Sequence, residues 1–390
     1  MLRRLATNLL LAAVSVVLAL GLAEVASWTL LPQWAPENGS RTFWRYDRSL
    51  GWSNRPGASG VHVHQDFAPR VEINAEGLRD KEYPAARVPG LCRMVVVGDS
   101  FTWGFGVERN EIWHELLEAR HPDWEIVNAG VAGYATDQEL LYLEERGLAL
   151  RPDVVLLLFH PNDLLENSER HTSGYYKPYF ELGPDGRLAL RQVPVPRGSH
   201  EQRLERWLRF HTYLLFRLYH FRKFVAAVRE ERAGEEREEA AGQAPPGRPR
   251  DRAPSAPVVN KYDVDLSLTL ALLGRIDEVV RERGARFLVA TVPMSDPPLS
   301  GLQAGLRERG IHTLGLDAAF KRQRDIRFAH DPHWTAHGHA IAAAAVESFL
   351  ASEGVFGSPG CGLGEGGARR SASAGSAKSA IVATGSSGHE

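Results

Sequence analysis

Between Arg93 and Leu350 the chain alternates two apolar patterns. Short continuous apolar runs, from Arg93 to Val97, Glu125 to Asn128, Asp153 to Phe159 and Arg286 to Thr291, with a weaker one from His312 to Leu316, predict strands buried on both faces. Helical spacing of apolar positions appears around Ile112 to Ala119, and over Asp137 to Leu148, Val264 to Glu282, Leu299 to Arg309 and Ala336 to Leu350. Such strands alternating with helices predict an α/β core, a parallel sheet with helices on both faces.

The flanking segments have other patterns. From Arg41 to Tyr83 the chain is rich in Gly, Pro, Asn and aromatic residues, with short alternation at Gly60 to His64 and Val71 to Asn74. Residues 32–91 are therefore expected as a hairpin-rich lead-in to a main domain over 92–352. An insertion over 164–262 far exceeds an ordinary connection. Its first part, Tyr175 to Val195, reads as a hairpin turning at Gly183-Pro184-Asp185-Gly186, a candidate lid. Its second part, Glu201 to Glu231, is a basic and aromatic helix whose apolar residues nearly encircle it, open to core packing, cap or membrane-surface contact, or a partner helix. Residues 230–257 and the tail over 353–390 have the composition of disordered chain.

Arg3 and Arg4 precede an apolar run from Leu9 to Ala23, which Glu24 interrupts and Val25 to Leu31 resumes. Residues 1–31 are expected as an uncleaved signal anchor, a single transmembrane helix in the cell inner membrane with the remaining chain on the periplasmic side. Cleavage would need a small-residue site such as Gly21-Leu22-Ala23, and a buried core helix would need an amphipathic partner nearby. The formal charge of -2 over 390 residues gives no general attraction to nucleic acid and names no oligomeric state. Cys92 and Cys361 stand at a strand entrance and in the low-complexity tail, and are expected to be unpaired.

Candidate chemistry gathers at the ends of the predicted strands. Gly98-Asp99-Ser100 closes the first, where parallel sheets present reactive groups. A serine hydroxyl is a weak nucleophile until a base takes its proton, so Ser100 needs a histidine held by a carboxylate. Alone, the tripeptide is also an ordinary turn and helix cap. The loops Asn128-Ala129-Gly130-Val131-Ala132-Gly133 and Phe159-His160-Pro161-Asn162-Asp163 emerge on the same edge and offer a glycine N–H and an Asn amide, suitable oxyanion donors. Each also reads as a plain Gly or Asx turn. Asp331-Pro332-His333-Trp334-Thr335 precedes the final helix and supplies an acid and an imidazole. His337 and His339 are expected to cap or support this region, because the zincin Glu and any nearby thiolate are missing. No metal and no cofactor is expected.

Taken in order, Gly98-Asp99-Ser100-Phe101-Thr102, the glycine of Val131-Ala132-Gly133-Tyr134, the Asn of Pro161-Asn162-Asp163, and Asp331-Pro332-His333-Trp334 resemble the four blocks of the SGNH/GDSL hydrolase superfamily. The resemblance runs from Arg93 to about Leu350 outside the insertion, and implies a three-layer α/β/α flavodoxin-like fold. It implies Ser100 as nucleophile, His333 as general base and acid, Asp331 as its orienter, and an oxyanion hole of the Ser100 and Gly133 N–H groups with the Asn162 side chain. The lead-in, with Leu50-Gly51-Trp52 and Asn74-Ala75-Glu76-Gly77-Leu78-Arg79-Asp80, also looks like membrane-anchored bacterial members. Many members carry Gly-x-Asn-Asp; here His160 stands two residues before Asn162, a departure expected to alter the oxyanion loop or add a polar contact. The acid-to-base spacing is one residue shorter than in many members.

The expected function is a serine esterase acting on an acylated small molecule or glycan, in particular a cell-envelope or exported carbohydrate ester. An O-acyltransferase would use the same residues with a sugar hydroxyl in place of water. A catalytically idle glycan-binding protein would keep the fold without the chemistry.

Overall fold

The computed structural model describes residues 2–30, 43–84, 87–172, 175–198, 204, 266–294, 298–357 and 361. Apart from Leu204, the predicted basic and aromatic helix at 201–231 lies outside these residues, as do the segment 230–257 and the tail beyond Gly357 other than Cys361. The chain divides into two compact units, Met1–Asn38 with Gly198–Asn260, and Gly39–Arg197 with Lys261–Glu390.

The first unit carries helix α1, Leu2–Leu30. Among the described residues no helix is long and apolar enough to cross a membrane. The expected transmembrane anchor is thus not supported.

In the second unit the lead-in forms two antiparallel hairpins, β1 (Trp44–Asp47) with β2 (Gly51–Asn54), and β3 (Ser59–Val61) with β4 (Arg70–Glu72). Then follow β5 (Cys92–Gly98), α2 (Ser100–Trp103), α3 (Trp113–Arg120), β6 (Trp124–Asn128), α4 (Thr136–Glu145), β7 (Val154–Phe159) and α5 (Asp163–Glu166). The described start of the insertion folds as β8 (His171–Thr172) with β9 (Tyr175–Tyr176), and β10 (Tyr179–Leu182) with β11 (Leu188–Arg191). The chain ends in α6 (Ser267–Glu282), β12 (Arg286–Thr291), α7 (Pro298–Glu308), β13 (His312–Gly315), α8 (Asp317–Phe320) and α9 (Ala336–Ser352).

The central sheet has the order β13-β12-β7-β5-β6, with every neighbouring pair parallel. Strand periodicity of two splits its side chains between two cores. Val95, Val97, Val155, Leu157 and Val289 pack with Leu140 of α4, Leu272 and Ile276 of α6 and Leu306 of α7. Met94, Val96, Leu156, Leu288 and Ala290 face Trp113 and Leu117 of α3, Phe320 of α8, and Ala343 and Val346 of α9. These are the three layers expected of an α/β/α fold. After β5 the chain steps to β6 on one side and to β7 on the other, so the strand order reverses there and leaves a crevice at the carboxyl ends of β5 and β7.

The insertion is tied into this unit. Phe180 of β10 is buried in the core that α4 and α6 share, and Lys177 Nζ pairs with Asp137 at the start of α4, both side chains fully buried.

The cysteines correct the expectation of free thiols: Cys92 and Cys361 form a disulfide with Cα atoms 5.4 Å apart. The chain does not leave the core after α9. Val355 and Phe356 are buried, and Phe356 stacks on His121 at 3.8 Å and meets Trp124, the partner of Cys92 across β5 and β6. That docking returns Cys361 to the entrance of β5.

Candidate active site

Strand β5 is buried along its whole length, and Ser100 is the partly exposed residue just past its end. Asp99 caps the turn: its Oδ1 accepts the Phe101 N–H at 2.9 Å, which starts α2. This helix has only four residues, so its contribution is its free N–H groups more than an extended dipole.

The loop before α9 brings the imidazole to this turn. His333 Nε2 lies 2.7 Å from Ser100 Oγ, and His333 Nδ1 lies 2.5 Å from Asp331 Oδ1, which also accepts the His333 backbone N–H at 2.8 Å. Burial works to raise the Asp331 carboxyl, but the hydrogen bonds and charge of His333 outweigh it and hold the group below its ordinary value. An ionised Asp331 fixes the tautomer with the proton on Nδ1, leaving Nε2 free to accept from the serine.

Backbone pairing and packing hold the loop. Phe328 N–H donates to His333 O at 3.3 Å and Thr335 N–H to Ile326 O at 3.1 Å, a short antiparallel contact around the Arg327–Trp334 bridge. Trp334 is fully buried, stacked on Phe320 at 4.9 Å and edge-on to Phe101 at 4.8 Å. His337 and His339 take no part in a common site with His333. His339 is buried edge-on to Trp334, where burial brings it down to about 3 and leaves it neutral. Among the described residues the one group of three possible metal donors is Cys92, Asp153 and Cys361, remote from this chemistry in the fold and with its two sulfurs bonded to each other.

Gly133 and Asn162 reach the turn through neighbours. Val131 N–H donates to Gly98 O at 3.1 Å, and a Cβ on Gly130 would stand 2.7 Å from Trp103 N, so only glycine lets the loop lie this close to α2. Gly133 has φ +80°, a left-handed conformation suited to glycine. The lead-in braces the same loop: Trp52 Nε1 donates to Ala132 O at 2.9 Å, and Tyr134 Oη donates to Trp52 O at 2.6 Å. On the third loop, His160 stacks on Phe101 at 4.8 Å, and its Nδ1 is in hydrogen-bond contact with Asn162 Oδ1 and 3.6 Å from Asp99 Oδ2. Ser100, His333 and Asp331 therefore touch in series, while Gly133 and Asn162 sit on loops packed against the same turn.

Two further groups stand at the site beside the expected residues. Phe105 stacks on His333 with ring centroids 4.3 Å apart. Arg79, fully buried, donates to the carbonyls of Trp103, Gly104 and Val107 and lies over the Trp103 ring at 4.4 Å. Burial brings its guanidinium down to about 9, still charged at neutral pH, and the three carbonyl dipoles stabilise that charge. Arg79 thus clamps the turn that carries Phe105. The signal for it, an arginine in a glycine-bearing lead-in turn, is indistinguishable from a surface residue in sequence.

Behind the Asn162 loop lies a set of buried acids. Asp163 accepts from Thr136 Oγ1 at 2.9 Å, and Glu139 is buried with neither carboxylate oxygen hydrogen-bonded. Burial pushes both carboxyls well above the ordinary range, reinforced by the charges of Glu139 and Asp99 for Asp163 and of Asp99 and Asp137 for Glu139.

Among curated proteins no sequence matches this chain. Solved structures similar to it include TesA, at 14% identity and TM-score 0.34 over 66% of this chain and 97% of that one. A GDSL-like lipase from Bacteroides thetaiotaomicron is similar at 12% identity and TM-score 0.35, covering 69% and 92% of the two chains. An acetyl xylan esterase, AlAXEase, is similar at 13% identity and TM-score 0.34, covering 66% and 99%. The family model for GDSL-like lipases and acylhydrolases matches residues 96–341, a span containing Ser100, Gly133, Asn162, Asp331 and His333, and the chain belongs to that family of serine hydrolases acting on ester bonds.

Proposed function

We propose that Ser100 attacks the carbonyl of an acyl ester, with His333 Nε2 taking the hydroxyl proton and Asp331 stabilising the imidazolium that results. The tetrahedral oxyanion is received by the N–H groups of Ser100 and Gly133 and the side-chain amide of Asn162. Collapse of that intermediate transfers the proton from His333 to the departing alcohol and leaves an acyl group on Ser100. Water, deprotonated by the same imidazole, then releases the acid. The observation that carries this reading is the unbroken series of contacts from Ser100 Oγ to His333 to Asp331 Oδ1, at 2.7 and 2.5 Å.

The proposed substrate is an ester of a cell-envelope or exported carbohydrate, met on the periplasmic side of the membrane. Support for that compartment comes from the Cys92–Cys361 disulfide, since such bonds persist chiefly where the surroundings are oxidising. A sugar hydroxyl in place of water would make the same residues an acyltransferase. Hydrolysis of small acyl esters by the wild-type protein, Ser100→Ala and Asp331→Asn tests the reading. Turnover is expected to vanish in the first and to fall by about a thousandfold or more in the second, with folding intact. Undiminished turnover in Ser100→Ala contradicts it.

A further inference from the structure

His160 stands directly after β7. Its ring is packed nearly parallel to Phe101, the residue after Ser100, at 4.8 Å and 19°. Three groups surround its Nδ1: the Asn162 side-chain oxygen in direct hydrogen-bond contact, the Asn162 backbone N–H directed at Nδ1 from 3.4 Å, and Asp99 Oδ2 at 3.6 Å. The carboxylate nearby favours the tautomer with the proton on Nδ1, because a partial positive charge there faces a negative one. In that tautomer Nδ1–H donates to the Asn162 side-chain oxygen, and the long backbone N–H contact to Nδ1, near the limit of a hydrogen bond at 3.4 Å, gives way to it.

We infer that His160 is a positioning residue whose Nδ1–H, by holding the Asn162 carboxamide oxygen, turns the amide N–H groups of Asn162 toward the oxyanion. This rests on the proposed role of Asn162. The two ends of a carboxamide have nearly the same shape and opposite polarity. Turned the wrong way, Asn162 presents a carbonyl oxygen to the developing negative charge and destabilises the transition state. The opposite His160 tautomer would accept from the amide nitrogen and impose that wrong orientation. The amide nitrogen carries two N–H bonds; Glu166, whose carboxyl burial raises against the pull of Thr172 and Asn162, takes up at most one, and the other is left for substrate.

The test is a double-mutant cycle on kcat and KM for a small acyl ester, using His160→Phe, which keeps a ring on Phe101 but has no N–H, together with Asn162→Ala. His160→Phe is expected to lower kcat about tenfold with KM within about twofold, and to have no further effect in the Asn162→Ala background. His160→Gln, which restores a side-chain N–H, is expected to recover most of the loss. Equal losses in both backgrounds, or a rise in KM with kcat unchanged, overturn the inference. Unchanged kcat in Asn162→Ala overturns the oxyanion role itself, a separate outcome. Melting curves accompany each variant, and if His160→Phe fails to fold the cycle is run with His160→Ala under the same criteria.

Discussion

The Phe105 ring lies against the His333 imidazole, centroids 4.3 Å apart and planes 28° from parallel, on the turn that Arg79 clamps through three backbone carbonyls. A residue of the lead-in thereby supports the imidazole without touching it. An aromatic stack of this kind is worth about 0.5–1.5 kcal/mol, a factor of roughly two to ten in rate if it is used to hold the ring in place. Phe105→Leu is expected to lower kcat within that range, with KM little changed. Steady-state kinetics on a small ester checks this, and an unchanged kcat refutes the supporting role.

His62 packs edge-on to Phe105 at 4.6 Å, wholly buried, with neither ring nitrogen hydrogen-bonded. Burial, with the Arg79 charge, brings it down to about 4 from an ordinary 6.5. Between those values the unfolded chain binds a proton that the folded chain refuses, so stability is complete above pH 6.5 and falls as the pH drops toward 4. His62→Phe is expected to leave the melting temperature at pH 7 equal or higher, and to remove about 2–3 kcal/mol of the acid destabilisation. Melting curves from pH 7 to 4 decide it; parallel acid slopes in the two proteins would contradict the account.

Lys177 and Asp137 join the insertion to α4 through an ion pair with no solvent contact. Burial raises Asp137 to about 6 even against the attraction of Lys177, so the carboxylate depends on its partner. Lys177→Met is expected to cost about 3–5 kcal/mol, whereas Lys177→Met with Asp137→Leu is expected to recover most of it. Urea unfolding of the wild type, Lys177→Met, Asp137→Leu and the double variant measures the coupling, and additive losses would exclude it.

The disulfide fixes the segment after α9 to the entrance of β5. Cys361→Ser is expected to lower unfolding free energy by about 2–4 kcal/mol, and dithiothreitol to bring the wild type to the same value. Equal stability of wild type and variant without reductant would show that the bond is not formed.

The parts legible in sequence were those whose signal is local. β5, β7 and β12 are apolar runs buried on both faces, and the residues at the carboxyl ends of β5 and β7 stand where the strand order reverses. The parts that escaped depend on partners far along the chain. The β1–β2 hairpin is secured by Tyr46 Oη on Val195 O at 2.6 Å and by Gln138 Nε2 on Leu50 O at 2.8 Å, neither of which any strand pattern announces. Cys361 lies in Gly- and Ser-rich sequence, and its pairing follows from the docking of Val355 and Phe356, two residues in a turn. Arg79 reads as a solvated loop residue because its three acceptors are backbone oxygens and carry no side-chain identity. In the N-terminal run, hydropathy alone suggested a span, which the described residues of α1 do not support.

The central claim is that the Ser100 hydroxyl is made nucleophilic by His333. A fluorophosphonate probe followed by peptide mass spectrometry tests it most directly, because the probe forms a stable bond only with an activated serine. The account predicts a single adduct on Ser100 in the wild type, with labelling slowed by about a thousandfold or more in His333→Gln. Labelling of Ser100 at an undiminished rate in that variant, or an adduct on another serine alone, would contradict it.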